Sequence, residues 1–232
     1  MSGIRRRALL AGATVAFGGF LGLADGAVQH SWLGVDQAAR GAVGLARLPQ
    51  FDTPMQTLSL LGDRVGLISL IAVAVLLLWP SRRRWAVGLP VVMAGTGGLQ
   101  LIAKWAVDRP RPNLAAWGYP SGHVLSLVVF FGLVAYLVGT SRIDRRWRWL
   151  AAGASAGTVL GVAFSRLYLD VHWLSDVIGG FALGLAYLLL TIWLVESSRA
   201  RARRPGIVPP AAGGVIVEPG DSLPGHQAPT PA

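Results

Sequence analysis

Residues 120–140 read PSGHVLSLVVFFGLVAYLVGT: a polar turn, Pro120-Ser121-Gly122-His123, followed by seventeen residues without a charge. A helix needs ~20 mostly apolar residues to cross the hydrocarbon of a bilayer, so this stretch is a membrane span that begins at a polar rim. Directly after it stand Arg142, Arg145, Arg146 and Arg148. The two ends of the span therefore differ in kind, with small polar groups and a histidine at one and arginine at the other.

The same contrast extends along the chain. Apolar segments at about 8–28, 57–79, 85–105, 149–165 and 174–195 join 122–140 to give six expected spans. The fold class implied is all-α, a polytopic bundle of six transmembrane helices. Of the 21 cations, fourteen fall in four runs: Arg5 to Arg7, Arg82 to Arg84, the four arginines after residue 140, and Arg199, Arg201, Arg203 and Arg204. With the first span crossing outward, all four runs lie on one face, which the positive-inside rule makes cytoplasmic. Both termini then lie inside. The net charge of +10 is accounted for by this topology, and nucleic acid is not expected as a partner. Trp79, Trp85, Trp147, Trp149 and Trp193 sit near the arginine rim, and Trp32, Trp105, Trp117 and Trp173 near the other, as interfacial belts do. With no cysteine in the chain, thiol catalysis and disulfides are excluded.

Arg5-Arg6-Arg7 before an apolar stretch also resembles the start of a secretory or twin-arginine signal. Even parity of the spans favours an uncleaved helix instead. Asp63-Arg64 interrupts the second segment, so residues 50–64 are expected either inside a span or as an interfacial helix leading into a shorter one. The pairs Gly18/Gly22, Gly157/Gly161 and Gly180/Gly184 give the small-xxx-small spacing of close helix contacts. From residue 205 onward, twelve of 28 residues are Pro or Gly, the composition of a disordered segment. The expected division is a membrane domain over 1–199 and a cytoplasmic tail over 200–232, with His226 a solvated tail residue.

Parity places Lys104, the only lysine, with Arg111, Ser121, His123, Arg166, His172 and Asp176 on the face opposite the arginines. Ionisable groups at the edge of a membrane core are costly, and by default they mark function. His172 and Asp176 are four apart at a helix start, so they share a face and the carboxylate can fix one imidazole nitrogen. The other nitrogen is then free as a nucleophile. Ser121 at an N-cap and Gly122 after it turn a helix N-terminus toward an anion. Lys104, Arg111 and Arg166 add charge-assisted donors, and His123 titrates in the range suited to proton transfer. Pro112 and Pro120 bracket a short loop and fix where the rim segments begin. Together these parts describe phosphoryl transfer through a histidine.

Lys104-x6-Arg111-Pro112, Pro120-Ser121-Gly122-His123 and Ser165-Arg166-x5-His172-x3-Asp176 resemble the three signature motifs of the type 2 phosphatidic acid phosphatase (PAP2) superfamily, with no position missing. The resemblance covers roughly residues 55–195. It implies His172 as the nucleophile that becomes phosphohistidine, Asp176 as its orienting partner and His123 as the general acid. Lys104, Arg111, Ser121, Gly122 and Arg166 are implied as the phosphate site, with Ser165 in support. Members of the superfamily use no metal or other cofactor, and act on lipid phosphates and diphosphates such as phosphatidic acid, phosphatidylglycerophosphate and polyprenyl diphosphates. The implied partners are a lipid phosphate substrate and the bilayer; oligomeric state is not legible.

Other readings weigh less. His123, His172 and Asp176 form a conceivable metal set, but three nearby cations repel a divalent ion. Gly153-Ala154-Ser155-Ala156-Gly157 matches the G-x-S-x-G elbow yet falls inside a span, where it reads as packing. Asp108 and Arg109 lie inside the first motif but not at its fixed positions, and read as rim charges that can pair with each other. A vanadium-dependent haloperoxidase shares the motifs, and a non-catalytic lipid-phosphate binder or transporter shares the setting; six spans argue against the first and the intact His172/Asp176 pair against the second. With seven residues between the first two motifs, no large outer domain reads the headgroup, which favours a simple one, polyprenyl diphosphate included. The expected location is a bacterial plasma membrane with the active site on the extracytoplasmic side.

Overall fold

The computed structural model describes residues 3–202; the expected tail from residue 203 on, with His226, lies outside the described residues, and its first three residues, 200–202, continue the last helix. Eight helices follow in order: α1 (Gly3–Val28), α2 (Leu33–Leu45), α3 (Asp52–Ser59), α4 (Arg64–Leu78), α5 (Arg83–Val107), α6 (Gly122–Gly139), α7 (Arg145–Tyr168) and α8 (Leu174–Ala202). Short 3-10 turns at Pro49–Phe51 and Leu60–Gly62 flank α3. No strand occurs among the described residues. Helices α1, α5, α6, α7 and α8 are each long and apolar enough to cross a membrane.

The sixth candidate crossing is a bent pair of helices. Residues Pro49–Gly62 and Arg64–Leu78 meet at a bend of 57°, because Asp63 adopts an extended conformation (φ −71°, ψ 163°) between them. The interruption at Asp63-Arg64 is thus a bend that separates α3 from the apolar α4. Helix α2 has no counterpart among the expected spans, since thirteen residues are too few to cross and only its packing at the rim reveals it.

Helix α6 is the centre of the bundle. Leu89 and Met93 of α5, Val129, Phe130 and Leu133 of α6, and Leu188 and Ile192 of α8 form one buried cluster. Val124, Leu127 and Val128 of α6 meet Val159, Val162 and Ala163 of α7 and Val177 of α8 in another. In lipid the gain comes from close packing rather than from excluding water, and glycine makes it possible. A Cβ on Gly180 would stand 2.6 Å from the Ser121 carbonyl oxygen, so α8 and the start of α6 touch backbone to backbone. Gly184 repeats the contact one turn on, against Leu125. By contrast Gly18, Gly22 and Gly157 face open space, so the small-xxx-small reading holds for α8 and fails for the other pairs, apart from Gly161 against Leu58.

Helix α1 is part of this core. Phe20 and Ala27 are buried, Phe20 stacks on Tyr119, and the Tyr119 hydroxyl donates to the Phe20 carbonyl at 2.9 Å. The arginine runs gather at the opposite end of the bundle: Arg82, Arg83 and Arg84 line a depression with Arg199, and Arg6 and Arg7 line one with Arg201.

Candidate active site

Four helix ends meet at the other rim: the end of α5 with Lys104, the start of α6 after Ser121, the end of α7 with Arg166, and the start of α8 with Asp176. The loop 108–121 is knitted to itself and to α8. Asp108 ends α5 in the left-handed region (φ 41°). The Gly118 N–H donates to the Arg109 carbonyl at 2.7 Å, Arg111 N–H to Ala115 at 2.8 Å, and Ser121 N–H to the Asp176 carbonyl at 2.9 Å. The Tyr119–Pro120 peptide is cis, and Pro112 and Pro120 are buried. Lys104 crosses below the loop, its ammonium donating to the Trp117 carbonyl.

At the start of α8, His172 Nδ1 lies 3.3 Å from Asp176 Oδ2. That same oxygen accepts the Trp173 N–H at 3.0 Å, and the carboxylate is wholly buried. Asp176 thus holds Nδ1 and leaves Nε2 without this partner. Burial pushes His172 down to about 4, against the opposing pull of Asp176. A ring with that pKa is neutral, and so nucleophilic, at pH 7.

Arg109 does not pair with Asp108. One of its nitrogens donates to Asp176 Oδ1 at 3.0 Å and to Ser175 Oγ at 2.6 Å, and the other to Asp36 Oδ2 at 2.7 Å. Asp36, on α2, also accepts the Ser175 N–H at 2.8 Å and the Ser175 hydroxyl at 2.7 Å. Asp36, Arg109, Ser175 and Asp176 are all buried. The rim-charge reading of Arg109 is therefore corrected: two carboxylates compensate one guanidinium, and this network ties α2, the loop and α8 behind His172. Asp36 and Ser175 are missed by motif reading, because a contact spanning 139 residues leaves no local pattern.

The phosphate-site candidates share an anomaly. Arg111 Nε, Ser121 Oγ and Arg166 Nε are buried and have no hydrogen-bond partner. Each unmet buried polar group costs on the order of 1–3 kcal/mol, and such groups are few in native proteins. The three are close together. Gly118 lies between Arg111 and Asp176, since a Cβ there would stand 3.3 Å from Arg111 Cγ and 3.2 Å from Asp176 Oδ2. Ser121 is bonded to Asp176 through the backbone, and the charges of Arg111 and Arg166 both act on His172. Three unpartnered donors on residues that neighbour Asp176 and a neutral His172 suit a tetrahedral oxyanion. Gly122 follows at the first turn of α6, where the Gln100 amide packs so closely that a Cβ would overlap it.

Two candidates are held by the α3 segment. Arg166 donates through Nη1 to the Ser59 hydroxyl, and His123 Nε2 lies 2.5 Å from Asp63 Oδ1. Ser165 is buried, but its hydroxyl donates to the Val162 carbonyl of its own helix at 2.7 Å rather than to another site residue.

Below the rim, a groove of about 680 Å³ runs between α1, α6, α7 and α8. Its walls include Leu160 on α7 and Ile178 and Phe181 on α8, all within about two turns of Arg166 or Asp176, and they are almost wholly apolar.

The chain is similar to several known proteins. A family model described as the PAP2 superfamily matches residues 85–200. Phosphatidylglycerophosphatase B of Bacillus subtilis is 30% identical over 183 residues, covering 74% of this chain and 88% of that protein. An undecaprenyl-diphosphatase of Sulfolobus acidocaldarius is 40% identical over 93 residues, 40% of each chain. The crystal structure of a transmembrane PAP2 type phosphatidylglycerolphosphate phosphatase from Bacillus subtilis superposes with a TM-score of 0.74 at 26% identity, covering 80% of this chain and 96% of that one.

Proposed function

Because this chain belongs to the PAP2 superfamily, we propose that it is a metal-independent phosphatase of membrane lipids that hydrolyses a phosphomonoester or pyrophosphate bond through phosphohistidine at His172. The observation that carries this reading is that three of the four buried side-chain donors without partners among the described residues, Arg111 Nε, Ser121 Oγ and Arg166 Nε, belong to residues around a neutral His172 whose Nδ1 faces Asp176.

In the reaction, His172 Nε2 attacks phosphorus as the bond to the leaving oxygen breaks, and His123 gives that oxygen a proton. Lys104, Arg111 and Arg166, with Ser121 and the first N–H groups of α6 at Gly122, hold the equatorial oxygens where charge spreads in the transition state. Asp176 stabilises the ring as it becomes cationic. A water deprotonated by His123 then attacks the phosphohistidine, the P–N bond breaks, and phosphate leaves. The apolar groove beneath is within the size range of small-molecule pockets and suits the lipid tail.

The arginine runs support a reading in which both termini are cytoplasmic and the active site lies on the outer side of a bacterial plasma membrane. A cysteine at 117 is then labelled by a membrane-impermeant reagent in intact cells; labelling only after permeabilisation contradicts this orientation.

The test of function is phosphate release by the detergent-purified protein from polyprenyl diphosphate, phosphatidic acid and phosphatidylglycerophosphate, with EDTA present. Turnover that resists EDTA and disappears in His172→Ala is expected. A folded protein inert on all three, or a His172→Ala variant of near-normal activity, overturns the proposal.

A further inference from the structure

The two histidines of the site are each held by one carboxylate, and the second of these belongs to no motif. Asp63 stands at the bend between α3 and α4, with Oδ1 2.5 Å from His123 Nε2. The segment before it is pressed onto the site: a Cβ on Gly62 would lie 2.6 Å from His123 Cδ2, and Ser59 accepts from Arg166. The bend in the second span is thus what delivers a negative charge to the proton donor. Asp63 is also open where Asp176 is closed, with 45% of its side chain exposed against none for Asp176.

We infer that Asp63 determines leaving-group preference, favouring phosphomonoesters, whose leaving oxygen belongs to a neutral alcohol, over diphosphates, whose leaving group is itself a phosphate. The inference rests on the phosphatase reading above and narrows its substrate class. The transferred phosphoryl group is held by Arg111, Ser121 and Arg166, and the leaving oxygen faces His123, so the group bonded directly to that oxygen stands beside the carboxylate that His123 contacts, whichever way the lipid tail runs below it. In the first step the P–N bond to His172 forms, the P–O bond breaks, and the His123 proton goes to the leaving oxygen; Asp63 keeps its charge throughout. With an alcohol leaving group, nothing anionic is attached directly to that oxygen, and hydroxyls beyond it can donate to Asp63. With a diphosphate, the leaving oxygen remains on a second phosphate, whose negative charge meets the carboxylate and competes with it for His123. Like charges brought this close are a standard device for rejecting a substrate, and partial exposure to solvent keeps the effect moderate.

The experiment compares kcat/KM for phosphatidic acid and for polyprenyl diphosphate in the same detergent, in the wild type, Asp63→Asn and Asp63→Glu. Loss of the Asp63 contact slows both reactions by loosening His123, so the ratio is the readout. The wild type is expected to favour the monoester, Asp63→Asn to shift the ratio toward the diphosphate by about tenfold, and Asp63→Glu to stay close to wild type. If Asp63→Asn loses turnover, the same discrimination is read from thermal stabilisation of each protein by inorganic pyrophosphate relative to phosphate. An unmoved ratio, or one moved toward the monoester, overturns the role of Asp63 alone. Wild-type protein inert on both lipids overturns the phosphatase reading with it.

Discussion

The two halves of the site are built to different standards. Behind His172 stands a closed network, in which Asp36 and Asp176 share Arg109 and Ser175 joins them, all of it buried. Behind His123 stands one carboxylate, Asp63, on a bent segment at the rim and nearly half exposed. In the proposed reaction the covalent step needs a nucleophile fixed in direction and tautomer whatever the lipid, and rigid placement serves that need. The leaving group is where substrates differ, and a single exposed partner on a separate segment can vary without disturbing the nucleophile.

This comparison can be broken at either half. The largest loss of stability is expected for Arg109→Ala, which leaves Asp36 and Asp176 buried without their cation. Removing one partner of a buried pair costs about 3–5 kcal/mol, read as a large drop in the melting temperature in detergent together with loss of turnover. Melting unchanged from wild type would show that the network is not a brace.

A smaller effect follows from His172. Its pKa is about 4 in the folded protein, from burial, against 6.5 for the free side chain. Above pH 6.5 neither state binds the proton, and His172 adds nothing to the pH dependence. Below it the unfolded chain takes up the proton first, so stability falls with pH, by about 2 kcal/mol at pH 5. His172→Asn should lack this component in melting curves from pH 7 to 5; an identical pH slope in both proteins counts against the depressed pKa.

The smallest structural effect is expected at His123. Its one hydrogen-bonded carboxylate is exposed enough for the pair to contribute under about 1 kcal/mol, so His123→Gln, which keeps most of the packing against Gly62, should melt close to wild type. Its turnover should nonetheless fall by about 10²- to 10⁴-fold, the usual contribution of a general acid. Normal turnover in a folded variant would assign the leaving-group proton to another donor.

Much of this arrangement was legible in the sequence, and the limits have physical causes. Span lengths and arginine runs follow from the hydrocarbon thickness and the charge asymmetry of membranes, which act on composition, so α5, α6, α7 and α8 are found close to where they are expected. The spacing of His172 and Asp176 is local to one helix start, and their contact follows from helical geometry. Asp36 has no such signal: it lies on a short amphipathic helix, and its partners are 73 residues away at Arg109 and 139 away at Ser175. Arg109 sits inside a motif, yet its direction depends on the left-handed turn at Asp108, which the residue type does not announce. Asp63 is visible as an interruption of an apolar run, but the carboxylate's meeting with His123 depends on the 57° bend. Glycine spacing alone fails for a similar reason, since whether Gly18 or Gly180 meets a neighbour depends on which helix lies opposite.

The most direct test of the account is to look for the phosphoryl group on His172. The purified protein is mixed with lipid substrate carrying a labelled transferable phosphate, quenched in alkali, where phosphohistidine survives, and digested for peptide mapping. Label is expected on the peptide containing His172 in the wild type and absent in His172→Ala. Steady turnover with no label on His172, or turnover retained in His172→Ala, would contradict the assignment of His172 as nucleophile.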